Sequence, residues 1–232
     1  MEVKYRNLQI TSQRERQIYI NGLKQIMSSG MMMMGKKSEE FENKFSKYCG
    51  KKYAVGVASG TSGLVLALKS LGIGKGDEVI TTTMSWLATS NAILLCGAKP
   101  IYVDIGDDLN INSDLVERSI TKKTKAIIAV HFCGRICDID KLKKISKKYQ
   151  IKLIEDASQA AGSEYLNRRA GFWSDLAAFS MNPMKPLGAF GEAGAVVLNS
   201  RKLKKKIESL RYLGTKNIEI CVDPDVNHKI DE

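Results

Sequence analysis

The sequence predicts an α/β fold: three layers, with a mostly parallel sheet flanked by helices and an N-terminal helical arm in front. Three observations predict it. From Tyr53 onward, short apolar runs alternate with longer helical periodicities, the pattern of a parallel sheet covered on both faces. Before Tyr53, two amphipathic patterns follow one another with no strand-like run between them. With 232 residues, 44% of them apolar, the chain can bury a large core without disulfide or metal staples, and disordered or collagen-like classes are excluded.

The elements follow in order. Ser12 with Glu15 reads as a capping box opening a helix through about Met27. The run Met31–Met34 lies between Gly30 and Gly35 and reads as adaptable packing or a loop. Ser38 is expected to cap a second helix that ends at Gly50. Tyr53–Ala58, Glu78–Thr82, Pro100–Val103, Lys125–Val130 and Lys152–Glu155 read as strands. Helices are expected over Ser62–Leu71, Leu87–Cys96, Ser113–Ile120 and Ile139–Tyr149. After Asp156 the rhythm changes: Leu176–Phe179 and Ala195–Leu198 read as strands with no full helix between them, which allows an antiparallel or edge member. No linker-like stretch or internal repeat interrupts the chain. The expected organisation is an arm over 1–50, one large domain over 51–214, and a short connecting segment over 215–232.

Several function classes fall away on composition. The net charge of +11 invites a nucleic-acid reading, but the positive charge concentrates in Lys141–Lys148 and Arg201–Ile207. Both have apolar residues at helical spacing and read as solvated helix faces. Neither is accompanied by aromatic residues on which bases could stack, so no nucleic acid is expected. No stretch approaches the roughly 18 apolar residues of a membrane helix. The polar start Met1–Arg6 has no apolar leader core. The five cysteines, Cys49, Cys96, Cys133, Cys137 and Cys221, are odd in number and scattered, which suits reduced thiols in the cytoplasm. His131 with Cys133 and Cys137 hints at a metal, but no second pair completes four ligands, so zinc is not expected.

Ligands of parallel α/β sheets gather beyond the C-terminal strand ends. Four such ends carry informative residues. Ser59-Gly60-Thr61-Ser62-Gly63 follows a strand and opens a helix, where small residues and free N–H groups suit a phosphate; alone, it equally suits a plain strand-to-helix turn. It is not a Walker A loop, because no Gly-Lys-Ser/Thr follows. Asp156, in Glu155-Asp156-Ala157-Ser158-Gln159, could hold a cation or merely cap the next helix. Trp86 could stack on a flat ligand or serve the core or surface. Lys185, in Ser180-Met181-Asn182-Pro183-Met184-Lys185, lies among Pro, Met, Leu and Gly, where desolvation can make a lysine nucleophilic. A phosphate cradle, a strand-end acid, an aromatic plate and a partly buried lysine are together what pyridoxal phosphate requires.

The ordered blocks also resemble a known family. Phe41-Glu42, Tyr48-Cys49-Gly50, Ser59-Gly60-Thr61 and Gly76-Asp77-Glu78-Val79-Ile80 are followed by Thr124-Lys125-Ala126-Ile127 and Val130-His131. Then come Glu155-Asp156-Ala157-Ser158-Gln159, Phe179-Ser180 with Lys185, and Gly191-Glu192-Ala193-Gly194-Ala195-Val196-Val197. Together they are similar to the DegT/DnrJ/StrS nucleotide-sugar aminotransferases, of the fold type I group. The resemblance implies Lys185 as the Schiff-base lysine and Asp156 as partner of the pyridine nitrogen. It implies Gln159 on the cofactor face or hydroxyl, Trp86 stacked on the ring, and Gly60, Thr61, Ser62 and Ser180 at the phosphate. Some relatives carry His in place of the lysine and act as dehydratases; Lys185 points to the transaminating branch.

Two departures stand out. Ala193 occupies a position where the family usually has Gly. The family also continues into a smaller C-terminal domain, including an Asn lent across a dimer interface, whereas this sequence ends at Glu232, soon after Arg211-Tyr212-Leu213-Gly214. The expectation is therefore a pyridoxal-phosphate aminotransferase for a nucleotide-linked keto-sugar, lacking that domain, with glutamate as amino donor, in amino-sugar or surface-polysaccharide biosynthesis. A cytoplasmic homodimer with a shared active site is implied. The alternative is a truncated, catalytically silent protein that only binds cofactor or dimerises.

Overall fold

In the computed structural model, residues 7–214 are described; the reading of Met1–Arg6, the segment 215–232 and Cys221 lie outside them. Two helices come first, α1 (Gln13–Ser29) and α2 (Lys36–Tyr48). The sheet elements and helices then alternate: β1 (Tyr53–Val57), α3 (Gly60–Ser70), β2 (Glu78–Thr82), α4 (Leu87–Leu95) and β3 (Lys99–Val103). They continue with α5 (Ser113–Val116), β4 (Thr124–Val130), α6 (Ile139–Lys148) and β5 (Lys152–Asp156). A two-stranded hairpin, β6 (Glu164–Tyr165) and β7 (Arg168–Arg169), precedes β8 (Leu176–Ser180), β9 (Gly194–Leu198) and α7 (Arg201–Arg211).

The seven-stranded sheet has the order β1-β9-β8-β5-β4-β2-β3. Neighbours from β3 across to β8 pair in parallel, whereas β9 is antiparallel to both β8 and β1. β9 is thus the one reversed strand among the seven, and the outer member beside it is β1. This is the three-layer, mostly parallel architecture expected of the sequence.

Successive residues of each central strand point to opposite faces. Ile128, Ile154 and Ala178 pack with Leu64 and Leu68 of α3 and Ile93 of α4. Their chain neighbours Ile127 and Leu153 pack instead with Ile139, Leu142 and Ile145 of α6. Beyond these, Val197 and Phe179 meet Phe45 of α2, and Val196 and Leu176 meet Ile207 of α7. Both faces are apolar, which is why the strands read as continuous hydrophobic runs rather than alternating ones.

Some local expectations change. α2 is capped by Gly35, with no side-chain cap, and Ser38 lies inside its first turn with its N–H on the Gly35 carbonyl (2.9 Å). At α1, Ser12 Oγ accepts the Glu15 N–H, but the Glu15 carboxylate accepts from the Tyr19 hydroxyl instead of closing the box. The box that does close is Ser59 with Ser62 at α3. The helix expected over Ser113–Ile120 is α-helical only to Val116 and continues as a 3-10 turn, Glu117–Ser119.

α1 buries none of its residues, and its Tyr19 ring meets Phe190 edge-on with centroids 4.6 Å apart. The methionines Met31, Met32 and Met33 are exposed, so the Met run forms a loop and no part of the core. Cys49, Cys96, Cys133 and Cys137 are free thiols, and burial pushes Cys49 up to about 12, which leaves it unreactive. No helix among the described residues is long and apolar enough to cross a membrane.

Candidate active site

The strand ends of β1, β5 and β8 come together because the register aligns them. Asp156 pairs with Val130 on one side and Ala178 on the other, and Ser180 and Val57 both pair with Gly194. A cavity of about 720 Å³ opens there, lined by Gly60, Thr61, Trp86, Asp156, Gln159, Ser180 and Lys185 among others. Seven of the eight residues singled out in the sequence therefore share one space.

Ser62 is the eighth, and it does not line the cavity. Its hydroxyl donates to the Ser59 carbonyl (2.9 Å) and accepts the Ser59 N–H (2.9 Å), so the side chain is occupied in capping α3. What it does is rigidify the turn that presents Gly60 and Thr61. Close packing explains the glycines there. A Cβ on Gly60 would sit 2.8 Å from Ser180 Cβ, and one on Gly194 would lie 2.6 Å from the Ser59 carbonyl carbon. Only bare backbone lets β9 and β8 approach the α3 N-terminus this closely.

Asp156 ends β5 and is 5% exposed. Its Oδ2 accepts from the Thr89 hydroxyl (2.8 Å) and its Oδ1 from the Ser158 N–H (3.2 Å), both neutral donors. Trp86 caps α4 through its backbone, is 73% exposed, and borders the cavity, which removes the core reading of its ring. Gln159 reaches across the opening, where its Oε1 accepts the Cys133 N–H (2.9 Å). Cys133 belongs to a tight turn after β4 with φ +49° and ψ +28°. That turn is pinned from behind by buried Asn110, whose Oδ1 accepts the Phe132 N–H (3.0 Å) and whose Nδ2 donates to the Arg135 carbonyl (3.2 Å).

Lys185 is half-buried in a turn after β8, its N–H on the Asn182 carbonyl (2.8 Å). The Asn182 side chain accepts the Met184 N–H (2.9 Å) and donates to Glu192 (2.5 Å). The apolar neighbours expected to enclose Lys185 do not: Met184, Pro186 and Leu187 are themselves exposed. The turn is held by backbone, Met181 N–H to Ala193 carbonyl (2.7 Å) and Ala189 N–H to Met181 carbonyl (2.8 Å).

Beneath the cavity floor, Glu155 is fully buried. His131 Nδ1 accepts the Cys137 N–H (3.3 Å), and its Nε2 donates to Glu155 Oε2 (2.9 Å). The N–H groups of Gly171 (2.7 Å), Trp173 (3.0 Å) and Ser174 (2.9 Å) also donate to Glu155. Burial alone would raise its carboxyl, but His131 and the donors of Gly171 and Ser174 outweigh this and hold it below the usual carboxylate range. His131 is thus committed to Glu155 and not to a metal-binding pair with Cys133.

Sequence reasoning missed Thr89, Ser85, Asn110 and Glu192, and read Cys133 only as part of a metal hint. A hydroxyl inside a helix or an Asn in a loop has no signature of its own; only Glu192 lay in a block already marked.

The model of the DegT/DnrJ/EryC1/StrS aminotransferase family matches residues 13–227 of this chain. The chain belongs to that family. Among relatives, it is 38% identical over 222 residues to a dTDP-3-amino-3,4,6-trideoxy-alpha-D-glucose transaminase of Micromonospora megalomicea subsp. nigra, covering 95% of this chain and 59% of the relative. DesV from S. venezuelae, solved in complex with a ketimine intermediate, superposes with a TM-score of 0.89 at 37% identity over 91% of this chain and 57% of that one. NtdA from Bacillus subtilis, solved with bound cofactor PMP, gives a TM-score of 0.84 at 35% identity, covering 91% of this family member and 49% of that chain. The chain thus spans about half to three-fifths of the length of these proteins.

Proposed function

We propose that this family member binds pyridoxal phosphate in the strand-end cavity and, within the whole protein, transfers an amino group from an amino acid to a nucleotide-linked keto-sugar. The observation that carries the reading is the pairing of Lys185 and Asp156 on one cavity. Asp156 is a buried carboxylate whose oxygens accept only from neutral donors, so a cationic ring nitrogen would complete it. The bare-backbone approach at Gly60, at the start of α3 where Gly60 and Thr61 border the cavity, suits a phosphate. The residues present therefore fit the cofactor. The relatives' names, dTDP-sugar transaminase and PMP-bound structure, support the same substrate and cofactor classes.

When bound, pyridoxal phosphate supplies an electron sink for the charge left on an amino acid's Cα as its proton leaves. The protein's own part is as follows. Gly60, Thr61 and Ser180 bind the phosphate. Trp86, at the exposed rim, covers one face of the ring and excludes water from it. Asp156 holds the ring nitrogen protonated. Gln159 spends its Oε1 on Cys133, which leaves its NH₂ as the donor toward the cavity and toward a ring oxygen. Lys185 would hold the cofactor as its amine partner and, as a free amine, would accept and return the proton of the amino acid's Cα.

Two copies are proposed to pair through the exposed apolar side chains of α4, Leu87, Leu94 and Leu95. Glutamate is the proposed amino donor, and amino-sugar or surface-polysaccharide biosynthesis the proposed setting.

The test is a spectral titration of the full chain with pyridoxal phosphate, followed by glutamate. Saturable binding, and a borohydride-reduced adduct mapping to the peptide that contains Lys185, are expected. An adduct on another lysine, or no binding, overturns the assignment. Binding without conversion by glutamate would favour the reading of a silent cofactor-binding protein.

A further inference from the structure

The start of α4 carries two side chains that border the cavity at different depths. Trp86 is exposed at the rim, and Thr89, three residues on, is 1% exposed against Asp156. Trp86 is the N-cap of α4 and Thr89 lies in its first turn, and both border the cavity, so the start of α4 couples an aromatic plate above to a hydroxyl below. Thr89 Oγ1 lies 2.8 Å from Asp156 Oδ2 and 2.7 Å from Ser85 Oγ. A hydroxyl has one proton, and a carboxylate only accepts. The Thr89 proton therefore goes to Asp156, and Ser85 must donate to Thr89. The hydrogen bonds run in one direction, Ser85 to Thr89 to Asp156.

This matters because the terminal torsion of an aspartate is broad and does not by itself fix the carboxylate plane. Here Thr89 holds Oδ2 and the Ser158 N–H holds Oδ1, so both oxygens are tethered while each keeps a lone pair free. We propose that Thr89, backed by Ser85, is a positioning residue that sets the plane of the Asp156 carboxylate toward the ring nitrogen of the bound cofactor. The inference rests on the reading of Asp156 and pyridoxal phosphate given above. Ser85, Thr89 and Asp156 all line the cavity, and β2 and β5 are brought within reach only through β4 between them.

The competing explanation is that Thr89 is simply a buried hydroxyl finding an acceptor. A double-mutant cycle on the full chain separates the two. The variants are Thr89→Val, Thr89→Ser, Asp156→Asn and the pair Thr89→Val/Asp156→Asn. The readouts are the Kd for pyridoxal phosphate, the visible circular dichroism of the bound cofactor, and the melting temperature of the cofactor-free protein. Thr89→Val is expected to weaken cofactor binding about tenfold, the scale of one hydrogen bond to a charged group, and to diminish the dichroic signal. Thr89→Ser should restore both to within about twofold. In the Asp156→Asn background, Thr89→Val should cost less than about twofold more, because the group it acts through is altered.

A Thr89→Val protein that binds like wild type overturns the proposal, as does an equal loss in both backgrounds. If Thr89→Val does not fold, Ser85→Ala carries the test: about threefold weaker binding is expected, and unchanged affinity overturns it. Failure of the wild-type chain to bind pyridoxal phosphate would instead overturn the underlying reading, and this inference with it.

Discussion

The two sides of the cavity are built differently. The floor is the end of β5, where Glu155 and Asp156 are buried and every carboxylate oxygen has a donor. The rim is Trp86 and the turn that carries Lys185, where Trp86, Met184 and Leu187 are exposed and the order comes from backbone clasps. A buried floor of hydrogen-bonded carboxylates cannot adjust without leaving charges unpaired. An exposed rim can move at small cost. The contrast teaches that burial and hydrogen bonding fix Glu155 and Asp156, while Trp86 and the Lys185 turn sit at the surface, where movement costs little.

If the rim holds the reacting group, Lys185→Ala should lower turnover of the whole enzyme by about 10⁴-fold or more while leaving the fold intact. Steady-state kinetics with a thermal melt as control checks this, and near-normal turnover would sink the assignment. If the floor is set by burial, Glu155→Ala should instead cost stability, roughly 3–5 kcal/mol, by orphaning His131 and three backbone donors. Denaturant unfolding measures it; a cost below about 1 kcal/mol would mean water replaces the carboxylate.

The same residue makes a pH prediction. Its carboxyl is held below the usual range in the folded state, so its contribution is fully present above that range and is lost as pH falls through the depressed value. Melting temperature should therefore fall more steeply on acidification in wild type than in Glu155→Gln. Equal slopes would contradict this.

Gly194→Ala probes the seam between the two sides. Its Cβ would meet Ser59 at 2.6 Å and the Phe179 carbonyl at 2.7 Å, so a loss of about 1–3 kcal/mol is expected by unfolding. The smallest effect belongs to Trp86→Ala. Stability should stay within about 0.5 kcal/mol, because the ring is exposed. Cofactor affinity should fall by the equivalent of about 0.5–1.5 kcal/mol, read by spectral titration. A large stability loss with unchanged affinity would reverse the assignment of floor and rim.

The sequence by itself determined the strands of the large sheet and most of the helices, though not the β6–β7 hairpin, because apolar periodicity is local and both faces of the sheet are covered. It also marked Gly60, Asp156 and Lys185, since each lies just beyond a strand end, where parallel sheets place ligands. Tertiary structure decided the rest. Whether β9 joins its neighbours parallel or antiparallel depends on its insertion between β1 and β8, which no local pattern encodes. Ser62 read as a phosphate ligand because a hydroxyl at a helix start can serve either a ligand or the cap, and only the folded turn shows it on Ser59. Thr89 was illegible for the opposite reason. Its acceptor lies 67 residues away on β5, two places across the sheet from β2, the strand that leads into α4, so its role exists only once β2, β4 and β5 lie side by side.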